Sequence, residues 1–73
     1  MANIHPTAVV SAEAVVADDV EVREYAVVGA HVTIGSGTVI GPMTRIEGPV
    51  TIGERNVFHG QTSVGTPPQD LKY

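Results

Sequence analysis

Eleven positions spaced six residues apart carry Ile4, Val10, Val16, Val22, Val28, Ile34, Ile40, Ile46, Ile52, Phe58 and Val64. Every isoleucine of the chain and its only phenylalanine stand on this register. Ile, Val and Phe together fill 19 of 73 positions. Chance occupation of eleven chosen slots therefore has odds on the order of one in a million. At about 100° per residue, an α-helix would set successive members of the set about 240° apart, on no common face. A period of six fits a short strand and a bend, repeated. The pattern predicts an all-β chain folded as a hexapeptide parallel β-helix.

Three hexads close one triangular turn, so residues 18 apart stack in columns. The first column reads Ile4, Val22, Ile40, Phe58; the second Val10, Val28, Ile46, Val64; the third Val16, Ile34, Ile52, and then Asp70. β-Branched and aromatic side chains suit such ladders. Two residues before each inward site the chain is compact, from Ala2, Ala8 and Ala14 to Thr38, Thr44 and Thr62, which is read as the demand of a tight corner. Gly29, Gly35, Gly41, Gly53 and Gly65 directly follow inward sites and are read as bends eased by the missing Cβ. A phosphate-cradling role does not suit them, because no strand–glycine loop–helix context surrounds them. About four coils at a strand spacing of about 4.8 Å give a prism about 19 Å tall. Pro67 and Pro68 lack backbone donors, and Asp70 would set a carboxylate in an apolar column. The solenoid is accordingly expected over residues 1–66, with 67–73 as a loop leaving it.

Charge and composition narrow the function by exclusion. The net charge is −4 and the four basic residues are scattered, so no phosphate-tracking surface points to nucleic acid. No apolar run reaches membrane-spanning length, and the N-terminus lacks a basic stretch followed by an apolar one. The absence of cysteine rules out disulfides and fits a cytoplasmic protein. Val9, Val15, Val27, Val39 and Val57 precede inward sites and should point outward. A small prism with so many outward valines is expected to bury a face against symmetry mates as a homotrimer.

The opening Ile4-His5-Pro6-Thr7-Ala8, the Val/Ile-Gly steps, and the ending Val64-Gly65-Thr66-Pro67-Pro68-Gln69-Asp70-Leu71-Lys72-Tyr73 together carry a family resemblance. The chain resembles the N-terminal coils of the acyl-[acyl-carrier-protein]–UDP-N-acetylglucosamine O-acyltransferases. That resemblance implies a left-handed parallel β-helix assembled as a trimer. It also implies transfer of a 3-hydroxyacyl group from acyl carrier protein to the glucosamine 3-hydroxyl, which opens lipid A synthesis, and it implies no cofactor. The loop matching 67–73 borders the family's substrate cleft, so the resemblance makes Gln69, Asp70 and Lys72 candidate substrate contacts, with no metal ligand among them. Asp70 would accept from sugar hydroxyl or amide groups, and Lys72 would face a phosphate or acyl oxygen. The family's general-base histidine and nucleotide-binding residues lie in later coils. The resemblance therefore implies no catalytic residue in this chain, which is expected to be a truncated piece, inactive alone.

Acylation of a hydroxyl needs a base and an oxyanion donor, and His5, His31 and His59 are the imidazoles available. His5 and His59 share an outward column with Arg23 and Gly41, while His31 shares another with Glu13 and Pro49. Their plain reading is as solvent-facing or interface side chains. Two alternatives stay open. One is a self-associating structural solenoid that catalyses nothing. The other is a metal-binding protein resembling the gamma-class carbonic anhydrases, although their close-spaced histidine pair is missing here.

Overall fold

In the computed structural model, residues 2–65 are described. Eleven short strands follow one another without a helix: β1 Asn3–Ile4, β2 Val9–Val10, β3 Val15–Val16, β4 Glu21–Val22, β5 Val27–Val28, β6 Val32–Ile34, β7 Val39–Ile40, β8 Arg45–Ile46, β9 Val50–Ile52, β10 Val57–Phe58 and β11 Ser63–Val64. They form three faces, ordered β1-β4-β7-β10, β2-β5-β8-β11 and β3-β6-β9. Every pairing is parallel and joins residues 18 apart, such as Ile4 with Val22, Val28 with Ile46 and Ile34 with Ile52. Three complete turns and two strands of a fourth make the parallel β-helix that the six-residue pattern predicts.

The inward register is the core. Val22, Val28, Ile34, Ile40 and Ile46 are at most 1% exposed, and Ile52 is 6% exposed. Val10, Val16, Phe58 and Val64 pack against this cluster but are only half-buried. Ile4 is 40% exposed, because inward residues of the outer coils have a neighbour on one side only.

The compact residues two before each inward site have a larger role than corner clearance. Val20, Ala26, Val32, Thr38 and Thr44 are fully buried, so these five central hexads each contribute two inward side chains, whereas Asn56 at the same place is exposed. The two buried threonines satisfy their hydroxyls across coils. Thr38 Oγ1 donates to the Gly53 carbonyl at 2.8 Å and accepts the Asn56 N–H at 3.3 Å, while Thr44 Oγ1 donates to the His59 carbonyl at 3.4 Å.

The corners also differ from the sequence reading. The left-handed corner residues are Tyr25, His31, Gly37, Met43, Arg55 and Gln61, with φ between 54° and 76°, each three positions past an inward site; Gly65, directly after one, is left-handed as well. Gly29, Gly35, Gly41 and Gly53 are not among them. Close approach explains two of these: a Cβ on Gly35 would stand 2.8 Å from the Gly53 carbonyl carbon, and one on Gly41 would overlap the Phe58 carbonyl oxygen. At position 49 the corner residue is Pro, which cannot take positive φ, and the Gly48–Pro49 bond is cis.

Left-handed corners reverse the direction of one amide per corner. Between strands, N–H groups point to the following coil, as in Asn3 to Val20 O at 2.9 Å and Gly29 to Ile46 O at 2.8 Å. The corner N–H groups point to the preceding coil instead. Met43 donates to Glu24 O at 2.8 Å, Arg55 to Ser36 O at 2.9 Å, Gln61 to Pro42 O at 3.0 Å and His31 to Glu13 O at 3.2 Å. Two corners use side-chain acceptors: Tyr25 N–H donates to Thr7 Oγ1 at 3.0 Å, and Gly37 N–H to Asp19 Oδ1 at 2.9 Å. The Ser36 hydroxyl also lies within 2.9 Å and 2.7 Å of the two Asp19 oxygens. The Ser36 hydroxyl first, and then the Gly37 amide, hold the Asp19 carboxyl below its ordinary range.

Two outcomes follow from this packing. Ile34→Asp should cost about 4 kcal/mol or more by placing an unpaired charge in the buried column, enough to unfold a domain of this size. Thr33→Asp, on the exposed side of the same strand, should cost about 0.5 kcal/mol. Equal losses in circular dichroism melts would refute the inward assignment. For Asp19, the folded-state pKa lies below the unfolded one, so its contribution is present above the unfolded value and disappears as pH falls through the folded one. The urea midpoint of the chain should therefore drop more steeply below about pH 4 than that of Asp19→Asn, and parallel pH profiles would show that this corner clasp carries no weight.

Candidate functional site

The residues singled out for substrate contact, Gln69, Asp70 and Lys72, lie outside the described residues. What the structure shows is the surface of the prism and the placement of the histidines.

On the first face, outward side chains form two parallel columns, Asn3 and Glu21 on one side and His5 and Arg23 on the other. Between them lies an open hollow of about 150 Å³. Strand alternation produces it, because Ile4 and Val22 turn inward and leave their backbone as the floor. His5 is oriented by the first corner. Its Nδ1 accepts the Thr7 N–H at 3.1 Å and lies 2.9 Å from Thr7 Oγ1, and that hydroxyl oxygen accepts the Tyr25 N–H. With Nδ1 accepting, the neutral ring carries its proton on Nε2. His5 therefore offers the hollow a hydrogen-bond donor, with no lone pair left for a general base.

Arg23 is held by two carboxylates, Glu21 at 3.2 Å from Nη1 and Glu24 at 3.4 Å from Nε. Glu24 Oε1 is buried without a hydrogen-bond partner, and the guanidinium charge compensates it in place of a well-aligned bond. The Glu24 carboxyl sits below its ordinary range chiefly through a hydrogen bond from its own backbone amide, with Arg23 and then His5 adding attraction. Two carboxylates around one guanidinium leave the hollow without a positive excess, so it does not suit an anion.

The other imidazoles stand apart. His31 occupies a left-handed corner with Nε2 3.5 Å from Glu13 Oε1, both side chains being exposed. His59 shares the outward column of His5 but lies three coils away, about 14 Å along the stack. Its carbonyl accepts the Thr62 hydroxyl at 2.7 Å. Within one chain the three imidazoles do not converge, and among the described residues no three His, Cys, Asp or Glu side chains gather as metal ligands do. Also among the described residues, no helix is long and apolar enough to cross a membrane.

Sequence reasoning missed two features here. The Thr7 clasp on His5 had a signal in the His-Pro-Thr order at the first corner. The Asp19 clasp had one in the 18-residue offset between Asp19 and Gly37.

Comparison with known proteins adds the family. The bacterial transferase hexapeptide signature (six repeats) matches residues 31–66. The chain is 47% identical over 70 residues to the acyl-[acyl-carrier-protein]–UDP-N-acetylglucosamine O-acyltransferase of Syntrophobacter fumaroxidans, covering 96% of this chain and 27% of that protein. It is 50% identical over 70 residues to the enzyme of the same name from Xanthomonas euvesicatoria pv. vesicatoria, with the same coverage. To that of Chlamydia pneumoniae it is 38% identical over 73 residues, all of this chain and 26% of the relative. The chain thus spans about a quarter of the length of the relatives it matches. Repeats, three-faced coil and whole-chain similarity agree: the chain belongs to the bacterial transferase hexapeptide family.

Proposed function

We propose that this chain is part of an O-acyltransferase that moves a 3-hydroxyacyl group from acyl carrier protein to the 3-hydroxyl of UDP-N-acetylglucosamine, the step that opens lipid A synthesis. The observation that carries the reading is similarity to relatives of that name along 96–100% of the chain, at 38–50% identity. In the transfer, a sugar hydroxyl oxygen bonds to the acyl carbonyl carbon, the bond to the carrier breaks, and a base takes the hydroxyl proton. Asp70 and Gln69 receive the sugar's hydroxyl and amide groups, and Lys72 faces a phosphate or acyl oxygen. The reading sets this work in the cytoplasm.

The solenoid supplies a rigid mount, and by this reading not the base. His5 presents an N–H, and His31 and His59 lie elsewhere on the prism. The 73-residue chain alone should therefore bind the sugar nucleotide weakly and turn nothing over. A second reading, a self-associating solenoid without catalysis, draws on the same separation of the histidines. Both readings include a homotrimer: Val9, Val15 and Val57 are each about 60% exposed, surface that favours burial against a second subunit.

Two measurements test this. In an NMR titration with UDP-N-acetylglucosamine, shift changes should centre on residues 66–73. Asp70→Asn should weaken binding about tenfold, the worth of one charge-assisted hydrogen bond. Changes confined to residues 2–65, or an unaffected Asp70→Asn variant, would leave the structural solenoid as the better account. Sedimentation equilibrium should give three times the 7.6 kDa chain mass, and a folded species at the single-chain mass would overturn the trimer.

A further inference from the structure

The hollow on the first face takes no part in the proposed acyl transfer, yet its walls narrow what it can hold. Asn3 pairs with Glu21 across the ladder, and His5 and Arg23 follow two residues later in the same two coils. Strand geometry therefore sets these four residues at the corners of a rectangle, about 4.8 Å along the stack and about 6.7 Å across it. One six-membered ring with its substituents covers that area. The volume of about 150 Å³ is also well below the roughly 300 Å³ at which pockets for drug-sized molecules begin. A nucleotide does not fit.

All four groups keep hydrogen-bonding capacity for a guest. The contacts that orient His5 run through Nδ1, which leaves Nε2–H as a donor. Arg23 meets its two carboxylates through Nη1 and Nε, and a guanidinium has further N–H groups to give. Glu21 is engaged through Oε2, which leaves Oε1 to accept. The Asn3 carboxamide both donates and accepts. Charge then selects among guests. An anion would meet Glu21 and Glu24, and a cation would meet Arg23. An apolar molecule would strip water from the four groups and return no hydrogen bond. What satisfies these walls is an uncharged molecule with several hydroxyls, each able to donate to Glu21 and to accept from His5 or Arg23. Pro6 also lines the hollow and gives the C–H face of such a molecule an apolar surface.

We propose that this hollow is a weak binding site for a neutral polyhydroxylated ring, a single monosaccharide unit, with Glu21 accepting from its hydroxyls and His5, Arg23 and Asn3 donating to them. Size and charge exclude a sugar nucleotide here, so the site goes beyond the acyl transfer proposed above.

An NMR titration of the isotope-labelled chain with D-glucose tests this. The amides of residues 3–7 and 21–24 should shift saturably, with a Kd on the order of 10 mM, and inorganic phosphate should leave them in place. His5→Asn keeps an acceptor for the Thr7 N–H, as Asn does in such turns, and drops the far donor. It should bind glucose about fivefold more weakly, while thermal melting stays within a few degrees of the parent. Glu21→Gln should weaken glucose by a similar factor and, by removing one of the two carboxylates around Arg23, admit phosphate. Glu47→Gln removes the same charge on another face and should bind glucose as the parent does. The proposal is overturned by an absence of saturable shifts at residues 3–7 and 21–24, or by phosphate binding the parent as well as glucose does. Undiminished glucose binding by His5→Asn, or a loss in Glu47→Gln as large as in Glu21→Gln, would reject the assigned groups. A Glu21→Gln chain that still ignores phosphate would reject the charge balance on which the choice of a neutral guest depends.

Discussion

Everything in this molecule depends on an amide ladder that advances by one coil. The N–H of one residue meets the carbonyl 17 positions ahead, from Asn3 with Val20 to Glu47 with Val64. That offset forces residues 18 apart to stack, so like sits on like and each inward column can be filled by a single class of side chain. The ladder imposes the sequence pattern as much as the pattern stabilises the ladder. A polar group at one inward site would be wrong for the coils on both sides of it. Thr38 and Thr44 are tolerated because their hydroxyls reach carbonyls of the next coil.

A ladder running in one direction leaves the corners to be fastened separately. The left-handed corner residues provide this by sending their N–H groups back to the preceding coil. Each coil is then held from both sides, by ladder bonds in one direction and corner bonds in the other. A non-glycine residue at positive φ is strained, and Tyr25, His31, Met43, Arg55 and Gln61 all accept that conformation. The reversed hydrogen bond offsets it. Between the first two coils the acceptors at two corners are the side chains of Thr7 and Asp19, so that junction depends on residue identity as the others do not.

The six-residue register, the three columns and the outward valines were legible because they follow from one rule applied repeatedly to side-chain size. The corner conformation was not, because residues as different as Tyr25, His31 and Arg55 occupy it and composition carries no trace of it. The glycines misled for a related reason. Gly35 and Gly41 lack a side chain because the neighbouring coil comes too close, and close approach between residues 18 apart is invisible to local turn chemistry. The hand of the coil followed only from the family resemblance, since a triangle of hexads has the same period whichever way it winds. At the candidate site, Gln69, Asp70 and Lys72 were reached by motif alone. The arrangement of His5 by Thr7 needed coordinates, because a tautomer is decided by hydrogen bonds.

A perfectly repeating prism is poor ground for chemistry. Its outward columns alternate every second residue, and its hollow on the first face is a trough between Asn3–Glu21 and His5–Arg23 in which charges already answer one another. Recognition of a sugar nucleotide requires several polar groups to converge, which residues stacked about 4.8 Å apart along parallel columns do not do. Convergence has to come from chain that departs from the repeat, or from a second subunit set against the first. The break at Gly65 is the one place among the described residues where the left-handed turn falls off the corner register. It lies four residues before Gln69. There the backbone is tied down at Val64 by the Glu47 amide, and the Glu47 carbonyl stands where a side chain on Gly65 would be.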